Sequence, residues 1–419
     1  MASRSMSHRR DFLRSAAVGT ATLAMTAASQ RRVLGANDRI SIGIIGCGKR
    51  GFGAHMTGVH KHAEEQNVEI TAVCDVWTRH LDEAAAKVQE WYGRAPRKFT
   101  AYQDLLALED VDAVMIATPD FQHCPQLEAA AEAGKDAYCE KPLAMNMKEL
   151  KSACDAVKAA GVVVQVGTQL RSSPEVVGCK KLFKTGVLGA VSRVEQLRNG
   201  SKPNWYKRLD RLPIEGRDVD WGSFLMHKRY RPFSDRLLAG WYGYREFCSG
   251  SIGQFGSHFI DMVHYITGAQ HPSSAVAHGD TFIWKDEYEF DCPDQVQTEL
   301  IYPEGFMLSY CTNFGNASGS RTVLYGTHGV MDFSNRSKPV VSGAGASEKG
   351  DLGAEEPVEP VECPDHFLNW LQCLRSREAP VAPIEAGYQH SVACILADRA
   401  WETGRRQVYN HNKREIRAG

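Results

Sequence analysis

The chain has no Cys-x-x-Cys pair and no Cys/His cluster at metal-ligand spacing, although it carries 12 cysteines. Neither a metal site nor a disulfide framework is indicated. An excess of charge of one sign is absent too: 49 Lys and Arg against 50 Asp and Glu give a formal net charge of −1, with no basic block outside the N-terminal segment. That balance argues against nucleic acid as a partner. A long apolar run is also missing, because the stretch from Ser15 to Ala28 is short and rich in Ala and Thr. It does not make a stable membrane span. What is present is length: 419 residues suffice for two domains with full cores.

The segment from Ser7 to Arg14 places Arg9 and Arg10 just ahead of that modest apolar run. It resembles a bacterial twin-arginine export signal, with small residues near Ala27, Ala28 and Ala36 as cleavage sites. The resemblance implies engagement of the export machinery and a periplasmic location; a disordered basic tail on a cytoplasmic protein is the alternative. Scattered cysteines sit awkwardly in an oxidising compartment, unless folding before export buries them. The expected division is a leader over 1–36, a first domain over 37–167 and a second over 168–419.

The strongest pattern begins where the β-branched run Ile42 to Ile45 enters Gly46-Cys47-Gly48-Lys49-Arg50-Gly51. A Gly-x-Gly-x-x-Gly turn between a buried strand and a helix opens a helix N-terminus toward a pyrophosphate. Gly46 allows the tight turn, Gly48 the approach of the phosphates, and Gly51 close helix packing. Val68 to Cys74 then reads as a second strand, ending in Asp75. A carboxylate there accepts hydrogen bonds from ribose hydroxyls and repels a 2′-phosphate, which points to NAD, while nearby Arg79 leaves NADP open.

Further along, helical spacing runs from Thr78 to Trp91, and Tyr102 to Leu106 reads as a short helix. Val111 to Pro119 reads as a buried strand broken by its proline. A helix from Pro125 to Ala133, a strand at Ala137 to Cys139, a helix from Met147 to Ala160 and a strand from Val162 to Val166 follow. Such alternation predicts a doubly wound parallel sheet, with a ligand-binding loop at Thr118-Pro119. The second half differs. Strand patterns at Val191 to Leu197, Gln295 to Tyr302, Phe306 to Phe314 and Arg321 to Tyr325 recur without crossover-length helices, predicting an antiparallel sheet. An exposed loop over 342–360 and helices at Pro364 to Ser376 and Ala386 to Thr403 close the chain.

The glycine turn, Ala117-Thr118-Pro119 with His123, and Glu140-Lys141-Pro142-Leu143-Ala144 together resemble the Gfo/Idh/MocA family of oxidoreductases. The resemblance implies a Rossmann domain followed by an α/β domain with an open, mostly antiparallel sheet that often forms a homodimer or homotetramer interface. It implies a tightly bound NAD, with Gly46, Cys47, Gly48, Lys49, Arg50, Gly51, Asp75, Thr118, Pro119, His123, Glu140 and Lys141 at the cofactor. Lys141 becomes the donor to the substrate hydroxyl and His258 the base. Gln254 stands where the family usually has aspartate, so either His258 works with Lys141 alone or another group helps. Asp261, one helical turn on, is a candidate assistant, and His264 reads as a packed histidine.

Substrate contacts are expected from Gln169 and Arg171, from His258, and from the aromatic and basic stretch that holds Tyr230, Arg231, Trp241, Tyr242 and Arg245. Aromatic faces beside planar donors suit a carbohydrate or polyol. The implied activity is NAD(P)-dependent oxidation of a secondary hydroxyl on a sugar, sugar derivative or cyclitol. Two alternatives stay open: a glycoside hydrolase of the same fold, in which the sugar is transiently oxidised, and a non-catalytic sugar or dinucleotide sensor.

Overall fold

The computed structural model describes residues 39–419, so the paired-arginine leader lies outside the described residues. Strands β1 (Ile40–Ile45), β2 (Val68–Cys74), β3 (Arg97–Phe99), β4 (Ala113–Ile116), β5 (Asp136–Cys139) and β6 (Val164–Val166) form one sheet. Every pairing in it is parallel and the strand order is β3-β2-β1-β4-β5-β6. The order reverses between β1 and β4, which opens a crevice beyond their carboxyl ends. β1 and β4 are almost entirely buried, as strands covered by helices on both faces must be.

The helix after β4 spans Asp120–Glu132 and starts five residues before the proline expected to open it. β4 ends at Ile116, ahead of Pro119, which precedes the helix with ψ at 152° and whose carbonyl accepts from Gln122 N at 2.9 Å. Pro125 sits inside the helix, because its fixed φ suits a helix and only one N–H is lost. This shift places Asp120 and His123 on the first turn, facing the crevice. Elsewhere local rules act as expected: Asn146 caps the helix Met147–Ala160 by accepting from Glu149 N at 2.9 Å, and Gly161 ends it at φ 64°.

The second sheet has ten strands: β7 (Val191–Asn199), β8 (Ser274–Asp280), β9 (Gln295–Ile301), β10 (Met307–Asn313), β11 (Arg321–Gly326), β12 (Val330–Asp332), β13 (Val340–Ser342), β14 (Glu356–Pro357), β15 (Gln407–Asn410) and β16 (Glu415–Ala418). Only β7 with β10 is parallel, so the sheet is mixed and mostly antiparallel. The helices Ser257–Thr267 and Ile384–Thr403 pack between it and the first domain. The latter is buried almost all round.

Two departures from a simple two-domain chain shape the site. The helix His366–Ser376 returns to the first domain and places Trp370 and Leu371 in its core beside Ile40, Ile42 and Val68. Residues 201–247, an excursion from the second domain, fold over the mouth of the first. Trp77 bridges to Val219, Asp220 N donates to Val76 O at 2.8 Å, and Trp77, Phe121, Val219, Trp221 and Phe224 share one apolar cluster. The 12 cysteines are free thiols, ten of them buried. No helix among the described residues is long and apolar enough to cross a membrane.

Candidate active site

At Gly46 and Gly51 the glycine turn leaves no room for a side chain. A Cβ on Gly51 would lie 1.8 Å from Gly46 O, and one on Gly46, at φ +89°, would lie 2.8 Å from the Ala117 carbonyl carbon. Gly48 instead lines the cavity, where a Cβ would meet the His80 ring at 3.5 Å. Asp75 holds this loop in shape: its Oδ2 accepts from Cys47 N at 2.7 Å and its Oδ1 from Trp77 N at 2.9 Å. Each oxygen retains a lone pair for a ribose hydroxyl. Open space beside the glycines and a carboxylate at their edge fit a dinucleotide.

Of the residues expected at the cofactor, ten line one continuous cavity: Gly46, Gly48, Lys49, Arg50, Asp75, Thr118, Pro119, His123, Glu140 and Lys141. Gly51 lies beneath it, and the Cys47 thiol turns inward toward Cys74 O at 3.5 Å, where burial pushes its pKa up. Glu140 is a buried hub. It accepts from Arg50 Nε at 2.6 Å, from His55 Nε2 at 2.9 Å and from Gln169 Nε2 at 3.3 Å. Burial opposes its ionisation, but Arg50 and His55 overcome this and hold its pKa well below the usual carboxylate range. Arg50 is thereby fixed at the cavity wall. His123 ties two strand ends together, facing Pro142 O at 2.7 Å and Thr118 O at 2.9 Å.

At the far end Lys141, from the loop after β5, meets Gln254 and His258 from the second domain. Lys141 Nζ donates to Gln254 O at 2.7 Å and to Gln254 Oε1 at 3.3 Å. His258 emerges where a turn of π-helix (Ile252–Gly256) passes into the helix Ser257–Thr267, and its Nδ1 has no protein partner. Burial, then the Lys141 ammonium, push its pKa well below the ordinary histidine value. Burial lowers that of Lys141, while Glu140 and Asp120 counteract. The Lys141 amine and the His258 imidazole thus share one wall.

Several expected contacts lie elsewhere. Both oxygens of Asp261 accept from Arg171, at 2.8 Å each, and His390 Nδ1 lies 3.6 Å from Asp261 Oδ1. The reading of Asp261 as an assistant and Arg171 as a substrate ligand gives way to a buried ion pair within the second domain, which joins the segment after β6 to the helix Ser257–Thr267. Gln169 reaches Tyr138 OH and Glu140 rather than the cavity. Arg231 pairs with Glu246, Arg245 with Asp398 and Glu402, and Tyr230 is 77% exposed outside it. His264 is packed, 2.7 Å from Tyr302 OH. Trp241 and Tyr242 do line the cavity.

The sequence reading passed over Asp120, Arg208 and Arg211. Asp120 directly follows Thr118-Pro119, where an acid reads as a helix cap. The two arginines come from the irregular excursion, where no periodicity marks them. Asp120 Oδ1 accepts from the Gln254 side-chain amide.

Residues 40–168 match the oxidoreductase family GFO_IDH_MocA, NAD-binding Rossmann fold, and residues 223–332 match the GFO/IDH/MocA C-terminal domain. The chain belongs to the Gfo/Idh/MocA family. Its first domain is the family's NAD-binding domain. The chain is similar to a glycosyl hydrolase family 109 protein of Shewanella sp. strain ANA-3, with 34% identity over 171 residues, 36% of this chain. That match spans 37% of the relative's length. A family 109 protein of Shewanella baltica strain OS155 is 28% identical over 453 aligned positions, covering 94% of this chain and 93% of that one. Among solved structures, the WlbA dehydrogenase of Bordetella pertussis, in complex with NADH and UDP-GlcNAcA, superposes with a TM-score of 0.65 at 22% identity. It covers 89% of this chain and 99% of that one. At such identity the likeness speaks for the fold.

Proposed function

We propose that this Gfo/Idh/MocA protein oxidises a secondary hydroxyl of a sugar, sugar derivative or cyclitol, using NAD that stays bound through turnover. One observation carries the reading: an amine from the first domain and an imidazole from the second line the same cavity, continuous with the glycine cradle. When bound, the dinucleotide supplies the ring that takes the hydride. Gly46, Gly48, Arg50 and Asp75 would hold it. Lys141 donates to the reacting oxygen, and His258, kept neutral by its surroundings, takes the hydroxyl proton as the C–H bond breaks. Trp241 offers an apolar face beside them. Asp75 favours NAD over NADP, since its carboxylate disfavours a 2′-phosphate.

The test is direct. Protein denatured after purification releases NAD identifiable by mass, and a sugar panel reduces the bound nicotinamide, followed by its absorbance. Purified protein without a dinucleotide, or no reduction by any sugar or cyclitol, sinks the reading. The near full-length match to a family 109 protein favours a second reading, glycoside hydrolysis through transient oxidation. Release of nitrophenol from a nitrophenyl glycoside without net NAD reduction decides for it. We further propose export through the paired-arginine leader and assembly as a homodimer or homotetramer. Fractionation of expressing cells and sedimentation of the purified protein check these.

A further inference from the structure

The arrangement around Gln254 has a direction built into it. Asp120 is 2% exposed, and each side-chain hydrogen bond shown for it is accepted from a donor. Its Oδ2 accepts from Ser249 N at 2.9 Å and Ser249 Oγ at 2.6 Å, and its Oδ1 accepts from the Gln254 side-chain amide. A carboxylate facing that amide fixes which end is nitrogen. The amide oxygen must then point the other way, where it accepts from Tyr242 OH and from Lys141 Nζ.

We propose that Asp120 is a positioning residue of the substrate site, acting through Gln254 to aim the free proton of Lys141 and to leave Tyr242 an acceptor toward the bound hydroxyls. Two of the three protons on Lys141 go to Gln254 O and Oε1, and the third is left for substrate. Tyr242 gives its one proton to Gln254, so its remaining capacity is to accept. A hydroxyl at this wall receives from Lys141 and gives to His258 or Tyr242. The inference rests on the oxidoreductase reading for its consequence in turnover, though the polarity itself is a property of the apo network.

An Asp120→Asn substitution sets the test. Ser249 N–H is a fixed backbone donor, so the asparagine oxygen stays with it and the new NH2 faces Gln254. The Gln254 amide must turn, placing its own NH2 against the Lys141 ammonium. Expected for D120N is a loss of about 100-fold in the rate of bound-NAD reduction by sugar, with NAD content unchanged. Adding Gln254→Glu restores an acceptor to Lys141 and Tyr242, and the double variant regains activity to within about 10-fold of wild type. A second readout needs no turnover: competitive acetylation of Lys141, followed by peptide mass against pH. The charged and titratable groups near this amine are Glu140, Arg50, Asp120, Tyr242, Cys248, His258 and Cys394. Loss of the Asp120 charge lowers the labelling midpoint by about one pH unit. Should D120N not fold, Gln254→Met removes the amide and is expected to show the same slow rate. Wild-type rates and midpoints in D120N, or in Q254M when it stands in, overturn the proposal, as does a double variant no faster than D120N. If no sugar reduces the wild-type cofactor, the activity reading fails while the labelling midpoint still judges the network.

Discussion

Two buried carboxylates stand near the junction of the domains, and they are satisfied in opposite ways. Asp261, fully buried, faces a guanidinium in a bidentate pair and cancels its charge locally. Asp120 meets only neutral donors, a backbone N–H, a hydroxyl and an amide, so its charge is felt at Lys141. The first arrangement makes a staple and the second a field. A carboxylate's partners, more than its depth, decide whether it serves architecture or chemistry.

The contrast is broken most severely at Lys141, which receives that field. Lys141→Ala is expected to slow sugar-dependent reduction of bound NAD by about 1,000-fold while circular dichroism stays native. Next in size, and opposite in kind, is Asp261→Asn. Leaving Arg171 buried without its counter-charge costs about 3–5 kcal/mol of stability in denaturant titration, whereas the folded fraction keeps its rate. If D261N were fully stable but slow, the two carboxylates would have to exchange roles.

Acid sharpens the comparison further. His264 and His366 are buried, and burial lowers their pKa values to about 3 and about 4 from an ordinary 6.5. The unfolded chain therefore binds protons that the folded one refuses. Stability from each is complete above pH 6.5 and falls with pH below it, by about 2 kcal/mol per histidine at pH 5. Thermal unfolding at pH 7 and pH 5 measures this, and a flat profile refutes it. Turnover should outlast stability in part, because burial and the neighbouring Lys141 hold the pKa of His258 well below the ordinary histidine value. The smallest effect belongs to Tyr230→Ala. With the ring 77% exposed and outside the cavity, stability should change within about 0.5 kcal/mol and the sugar KM should hold.

The dinucleotide end of the cleft was legible because its determinants are contiguous: a strand, a glycine turn and an acid within one βαβ unit. The parallel sheet was readable for the same reason, from helix and strand periods alternating along the chain. Strand β8 escaped notice because Ser274–Asp280 is built mostly of small residues, with one β-branched residue, Val276, and Gly279 near its end. The substrate end was harder. Asp120, Tyr242, Gln254 and Lys141 are up to 134 positions apart, and the bond that unites Asp120 with Gln254 leaves no trace in local pattern. Arginine misled in the other direction. Arg171, Arg231 and Arg245 have donor chemistry suited to sugars, yet each is spent on a carboxylate that only the fold brings near.

Trp370 and Leu371 complete the core around β1 and β2, though they arrive late in synthesis. A nascent chain that has made the glycine turn and all six parallel strands still lacks a wall of its first core. The nucleotide pocket is therefore expected to mature only after the ribosome has delivered the helix His366–Ser376, and an isolated N-terminal half to emerge as an open, sticky fragment rather than a working module.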